Sequence, residues 1–260
     1  MGKKIDILNL KISSESLDEI VEKSVALIKQ KTKHYICVPN AYLTVVANEN
    51  RQVLDIINNA EFTVPDGMPL VWYSKTFKNK LKKRIPGFDL FAAYCRKLGD
   101  EKMSCFFMGG ESKEVVRDMI ENLKKKYVNL DIKGFYVPPF VEIIEGNLKD
   151  DINKEINNKK PDVVWVGLSA PKQEIWIYNN LESLETIMAC GVGAVFNFYA
   201  GKVKRAPGWI QKIGMEWFYR LLAEPKRLLS KYLVYNTKFV GLVTRDIYKR
   251  LSKNRKEDNK

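Results

Sequence analysis

The chain has 260 residues and is 45% hydrophobic, enough for one large domain or a domain with an appendage. Its formal charge is +13, and residues 201–260 hold sixteen Lys and Arg against five Asp and Glu, so the first two hundred residues are close to neutral. No apolar run approaches a membrane span and the N-terminus lacks a signal-peptide core, so the body is expected to stay in the cytosol. The four cysteines, Cys37, Cys95, Cys105 and Cys190, show no CxxC pair and no clustered histidines. Cys37, Cys105 and Cys190 fall in or beside apolar strands, so buried reduced thiols are expected in preference to a disulfide frame or zinc site.

Residues 5–12 alternate in polarity and predict an opening strand. Residues 14–30 carry Leu17, Ile20, Val21, Val25 and Ile28 at helical spacing, with Ser14 as a plausible cap. Residues 35–38 predict a short buried strand ending at Pro39-Asn40. A helix follows over 41–59, with a break near 48–50. Residues 61–64 predict a strand, and 70–75 the start of a helix. Between them Asp66 is pinned by Pro65 and Gly67 at a strand-to-helix turn. In an open α/β sheet that turn lies on the rim of the ligand crevice, a good place for a general base. An ordinary Asp-Gly turn has the same local pattern.

Residues 78–83 form a basic connector to Arg84 and a helix ending near Leu98. A strand over 103–108 runs into Gly109-Gly110 and a helix over 113–127. Strand, double glycine and helix present N–H groups to a phosphate, although a plain tight turn reads the same. Residues 130–132 start a strand, 134–140 read as an aromatic, proline-rich loop, and 143–158 as a polar helix. Residues 162–168 are almost continuously apolar, as in a central parallel strand. Pro171 opens the next helix, and residues 186–190 are the last strand, ending in Gly191-Val192-Gly193.

This alternation predicts a single Rossmann-like, doubly wound α/β domain with a mostly parallel sheet over 1–200. A basic helical appendage over 201–260 follows, with helices over 210–222 and from 225 to about 251. The last helix mixes a broad apolar face with Arg227, Lys231, Lys238, Arg245, Lys249 and Arg250. That composition suits a helix lying on an anionic bilayer, and equally one packed on the body with solvated lysines. A nucleic-acid partner is disfavoured because apolar residues interleave the charges. An oxidoreductase is disfavoured because residues 12–14 hold no dinucleotide fingerprint. His34, the sole histidine, reads as a loop end.

Residues 167–176, Gly-Leu-Ser-Ala-Pro-Lys-Gln-Glu-Ile-Trp, resemble the G-x-x-x-P-x-Q-E-x-W signature of the WecG/TagA/CpsF glycosyltransferases. Gly191-Val192-Gly193-Ala194 with Ala200-Gly201 and Arg205-Ala206-Pro207 resembles that family's next block. Glu216-Trp217, Arg220-Leu221, Glu224-Pro225 and Arg227 resemble its basic C-terminal block. Pro39-Asn40-Ala41, residues 64–67 and residues 84–90 fit upstream in the right order.

The resemblance implies a hexosyltransferase working with inversion and without a metal or other cofactor. A sugar such as N-acetylmannosamine would pass from a UDP-sugar to a polyprenyl-diphosphate-linked GlcNAc acceptor, in teichoic acid or other cell-surface polysaccharide synthesis. The site of action would be the inner face of the plasma membrane, held peripherally through the tail, and homo-oligomerisation is left open. The resemblance implies Asp66 as base and Arg84 beside the leaving group. Asn40 and Gln173 carry amides suited to sugar hydroxyls, or serve as a helix cap and a first-turn residue. Gly109, Gly110, Gly191 and Gly193 are candidates for close backbone approach to the nucleotide. Arg220 and Arg227 would close over the diphosphate, or are surface charge. Two departures stand out: Val38 where relatives carry Thr, and Asn197 where the family reads Asp.

Overall fold

The computed structural model describes residues 3–76, 80–141 and 143–258. The chain opens with two short strands, β1 (Lys4–Ile7) and β2 (Leu10–Ser13), paired antiparallel. The expected single opening strand is therefore a hairpin. Leu8 and Asn9 both have positive φ, 51° and 66°, as a tight two-residue hairpin turn requires. Helix α1 (Leu17–Lys29) is capped by Ser16, two residues later than Ser14. Ser16 Oγ accepts from Glu19 N, and Glu19 Oε2 accepts from Ser16 N at 2.7 Å, a reciprocal box that Ser14 cannot make.

The main sheet begins at β3 (His34–Cys37). Helices α2 (Ala41–Glu49) and α3 (Arg51–Asn59) follow, with Asn50 ending one and capping the other. Then come β4 (Phe62–Thr63), α4 (Met68–Ser74), α5 (Gly87–Asp100), β5 (Ser104–Gly109) and α6 (Lys113–Lys126). Lys78 of the predicted basic connector lies outside the described residues. Strand β6 (Asp131–Tyr136) is longer than predicted and takes in Gly134 and Phe135. The glycine that suggested a loop sits at a register shift against β5, where a Cβ would come within 3.2 Å of the Phe106 ring. The rest of the body is α7 (Gly146–Lys159), β7 (Val163–Gly167), α8 (Lys172–Asn180), β8 (Met188–Gly191) and α9 (Val195–Tyr199).

The six strands from β3 to β8 form one parallel sheet in the order β4-β3-β8-β7-β5-β6. Successive residues of the central strands feed opposite faces. Val164 and Val166 join a core with α2, α3 and α8, while Val163 and Trp165 join one with α1, α5 and α6. Burial on both faces explains the unbroken apolar run of β7. From β3 the chain steps outward to β4, and from β5 it steps outward the other way to β6. Strands β7 and β8 fill the gap, so the carboxyl ends of the central strands open onto a crevice.

Three helices complete the chain: α10 (Gly208–Lys212), α11 (Glu216–Ala223) and α12 (Pro225–Asp258). The single helix expected over 210–222 is divided at Gly214, whose φ is +78°. Helix α12 packs across α2. Leu228 and Phe239 are buried, Tyr235 meets Tyr42 edge-on at 4.5 Å, and Lys238 pairs with Glu49. Its other side leaves Leu229, Leu233, Val240 and Leu251 exposed. One face of the helix is therefore packed on the body, and the other is left exposed and partly apolar. Among the described residues no helix is long and apolar enough to cross a membrane. All four cysteines are buried and free.

Candidate active site

The segment after β4 is stitched to its neighbours on both sides. Val64 N donates to Cys37 O at 2.8 Å and Asp66 N to Pro39 O at 3.0 Å, continuing the parallel pairing past the strand ends. Ile85 N donates to Pro65 O from the other side. Asp66 is thereby fixed on the crevice floor. Its Oδ1 accepts from Gly87 N, the first residue of α5, at 3.2 Å. Burial pushes the Asp66 carboxyl up to about 6. The Gly87 N–H and the charge of Arg84 oppose the rise, and the charge of Glu216 adds to it.

A second cradle lies at the ends of β5, β7 and β8. Gly110 N donates to Gly167 O at 3.0 Å, and Gly109 has a φ of +100° with Gly167 backbone 2.8 Å from where a Cβ would stand. This double glycine lets two strands close together. Gln173 is buried, and its Oε1 accepts from Gly193 N at 3.0 Å while its Nε2 donates to Glu174 Oε1 at 2.8 Å. A Cβ on Gly191 would stand 2.8 Å from the same amide. The Gln173 amide therefore braces the Gly191–Gly193 turn from below. Glu174 is 1% exposed, and burial raises its carboxyl to about 7 against the pull of the Gln173 amide. Its Oε2 has no hydrogen-bond partner among the described residues.

The C-terminal helices supply the third wall. Arg84 Nη2 donates to Glu216 Oε2 at 2.9 Å and to Gln211 O at 3.2 Å. Glu216 Oε1 accepts from Arg205 Nε at 3.3 Å, and Arg205 Nη1 pairs with Asp89 Oδ1 at 2.6 Å. Asp89, Arg205, Glu216 and Arg84 thus form one alternating ion-pair chain from α5 through α11 to the loop before α5. Arg205 also stacks on Phe88 at 4.4 Å. Arg220 lies over Phe198 at 5.4 Å and 4.0 Å from Glu224 Oε1.

These walls enclose one cavity of about 2010 Å3. Asn40, Asp66, Arg84, Gly110, Gln173, Gly191, Gly193 and Arg220 all line it. Asn40 is also the cap of α2, its Oδ1 accepting from Leu43 N at 3.1 Å. Gly109 stands behind Gly110 and is not part of the lining. Arg227 falls in α12, but its side chain lies outside the described residues. Val38 and Asn197 both line the cavity, with Asn197 Nδ2 donating to Glu111 Oε2 at 3.0 Å. His34 opens β3 at the opposite end of the strand, with Nδ1 3.1 Å from Glu61 Oε2. Sequence reasoning gave no role to Arg205, Glu216 or Glu174. Arg205-Ala206-Pro207 and Glu216-Trp217 were visible as motifs, but the ion pairs joining them to Asp89 and Arg84 link distant segments.

The profile of the Glycosyl transferase WecG/TagA/CpsF family matches residues 5–253. The N-acetylglucosaminyldiphosphoundecaprenol N-acetyl-beta-D-mannosaminyltransferase of Bacillus subtilis (strain 168) is 31% identical over 208 residues, 78% of each chain. The enzyme of that name from Bacillus spizizenii is 30% identical over 218 residues, 83% of this chain and 81% of its own. The one from Staphylococcus aureus (strain NCTC 8325) is 30% identical over 227 residues, 86% of this chain and 87% of its own.

Proposed function

The chain belongs to the WecG/TagA/CpsF family of glycosyl transferases, and we propose that it moves a sugar from a UDP-sugar to a polyprenyl-diphosphate-linked GlcNAc, with inversion and without a metal. N-acetylmannosamine or a related hexosamine is the sugar this reading favours, by similarity to the named relatives. Teichoic acid or another cell-surface polysaccharide is the product class. The observation that carries the reading is Asp66, a carboxyl poised near neutrality on the floor of a cavity walled by arginines.

Inversion takes one in-line displacement. The acceptor hydroxyl oxygen bonds to the anomeric carbon as the carbon–oxygen bond to the diphosphate breaks, and UDP leaves. Asp66 takes the hydroxyl proton. Its Oδ1 is engaged by Gly87, which leaves Oδ2 for that proton. Arg84 and Arg220 meet the charge growing on the leaving diphosphate. Both bonds that Arg84 makes here use Nη2, so the N–H groups of Nη1 and Nε remain for the diphosphate. Gln173 acts one step back, by holding Gly191 and Gly193 in place for the substrate.

The exposed apolar residues and cations of α12 suit docking on the anionic inner face of the plasma membrane. Val38 and Asn197 on the cavity wall favour a second reading within the family, transfer of a different UDP-hexosamine into a capsule or exopolysaccharide. The test is a panel of UDP-sugars with a synthetic polyprenyl-diphosphate-GlcNAc, read as UDP release. Acceptor-dependent release with one sugar is expected, and release indifferent to the acceptor would sink the proposal. Co-sedimentation with anionic liposomes, set against salt-dependent DNA retention, checks the docking.

A further inference from the structure

The cavity is larger than its polar end requires. Cavities for small ligands run to about 300–1,000 Å3, whereas this one is about 2010 Å3. One arm of its lining, a trough, takes in Asp66 together with residues of α4 and α12, two helices joined by Tyr73 and Asp246. That lining includes Trp72 from α4, Thr76 from the turn after it, and Val240, Val243 and Ile247 from α12. Trp72 is 45% exposed and Val240 62%. These apolar surfaces share the cavity lining with Arg84 and Arg220.

Two contacts fix the width of the trough. Tyr73 Oη donates to the Asp246 carboxylate, fastening α4 to α12, and Asp246 also pairs with Arg250. The turn between α10 and α11 lies hard against α4. A Cβ on Gly214 would be 2.6 Å from Met68 Cγ and 3.2 Å from the Trp72 ring. The trough then opens onto the exposed stripe of α12 that carries Leu229, Leu233 and Leu251. The cavity's other arm, lined by residues 138–141 and 143–145, differs in character. Lys172 Nζ bonds Val141 O at 3.3 Å and lies over the Phe140 ring, with Lys149 and Glu145 nearby on the lining.

We propose that the trough between α4 and α12 holds the first isoprene units of the lipid acceptor, with the acceptor diphosphate at the arginine end and the remaining chain leaving along the exposed stripe of α12. This rests on the lipid-linked acceptor assigned above and adds where its chain runs. With the guanidiniums of Arg84 and Arg220 at one end and apolar residues of α4 and α12 beyond them, the lining offers hydrogen-bond donors for a diphosphate and apolar surface for a hydrocarbon chain. Each buried methylene contributes to binding, so the affinity for acceptor grows with the chain the trough can cover.

The experiment uses the full-length chain, a UDP-sugar that it turns over, and two acceptors: GlcNAc diphosphate esterified with ethyl or with farnesyl. The wild-type KM is expected to be lower for the farnesyl ester. Trp72→Ser and Val240→Asn are each expected to raise the farnesyl KM about tenfold, about 1.4 kcal/mol, while the ethyl KM and the donor KM stay put. Trp72→Phe should restore most of the farnesyl preference. Equal KM values for the two esters in the wild type would overturn the inference, as would variants that raise both alike. A loss of farnesyl preference in Phe140→Ala with none in Trp72→Ser would put the chain in the other arm and overturn it too. No UDP release with either ester would instead strike the lipid-acceptor reading beneath it.

Discussion

At the carboxyl end of β4, Asp66 lies on the crevice floor with one backbone N–H as its hydrogen-bond partner. At the junction of α10 and α11, Glu216 lies between the guanidiniums of Arg84 and Arg205. Both carboxyls are partly or largely withdrawn from water, yet they serve opposite ends. Burial without a bonded cation lifts Asp66 toward neutrality, where it can exchange a proton. Glu216 is compensated on both oxygens and holds two arginines in line. The sheet rim is thus built to tolerate an acid that titrates, and the C-terminal helices to fix charge. Glu174, deep in the rim and raised to about 7, falls with Asp66.

Asp66→Asn is expected to break the comparison hardest. The amide cannot take the acceptor proton, so kcat should fall about 10^2–10^4-fold. The wild-type rate should rise with pH through about 6, since the base must be ionised. Stability runs the other way. A carboxyl whose folded pKa lies above its unfolded value binds protons more tightly when folded, so its contribution falls as pH rises from about 4 to about 6. The variant escapes that loss and should melt at a higher temperature than wild type at pH 7.5, with the gap closing in acid. Thermal scans and single-turnover assays at several pH values check both signs. Undiminished turnover in a folded variant would remove Asp66 from the chemistry.

Arg84→Lys sharpens the other side. A lysine keeps the charge but has no planar fork with which to hold Glu216, the Gln211 carbonyl and a diphosphate together. A fall in kcat/KM for the UDP-sugar of about 10^2-fold is expected, on the scale of losing one positioned donor. Steady-state kinetics with saturating acceptor would show it, and wild-type values would mean that charge alone suffices.

What the sequence made legible follows from how local each feature is. Asp66 could be found because a proline, a glycine and the switch from strand to helix all fall within a few residues. The parallel sheet could be read because strands buried on both faces, such as β7, carry no polar interruption. The opening hairpin was hidden because Leu8-Asn9 is not a glycine-bearing turn pair, and the one slip in alternation, at Ile7-Leu8, is its sole trace in the sequence. Strand β6 was cut short because Gly134 marks a loop as readily as a bulge. The role of Glu216 was out of reach. Its contact with Arg84 spans 132 residues, and that between Arg205 and Asp89 spans 116. Gln173 was identified as a site residue, but nothing local says that both ends of its amide are engaged within the protein.

Glu216→Gln tests whether the junction and the rim communicate. The charge of Glu216 helps raise Asp66, while Arg84, Arg220 and the Gly87 N–H lower it. Neutralising Glu216 is expected to move the acid limb of kcat/KM to lower pH, with a loss in kcat smaller than that of Arg84→Lys. A limb that moves up, or stays in place, would show the two regions to be electrostatically separate. Removing one member of a partly buried pair should also lower the melting temperature, because Arg84 and Arg205 would lose a common counter-charge.

Glu174→Gln is the mildest of the four and separates burial from pairing most directly. The replacement has nearly the same shape, and its carbonyl can still accept from Gln173 Nε2 where Oε1 does now. What it removes is a carboxyl with one unpartnered oxygen in a site almost closed to water. Burial raises the wild-type carboxyl, so wild-type stability should fall as pH rises from the ordinary glutamate range to about 7. The variant lacks this slope, and its melting temperature should gain on wild type steadily across that window. Glu216→Gln should lose ground to wild type instead, because there the charge removed was paired. If both variants gained stability, or both lost it, the rim and the junction would be handling buried charge alike, and the contrast between a titrating floor and a fixed ionic wall would fail.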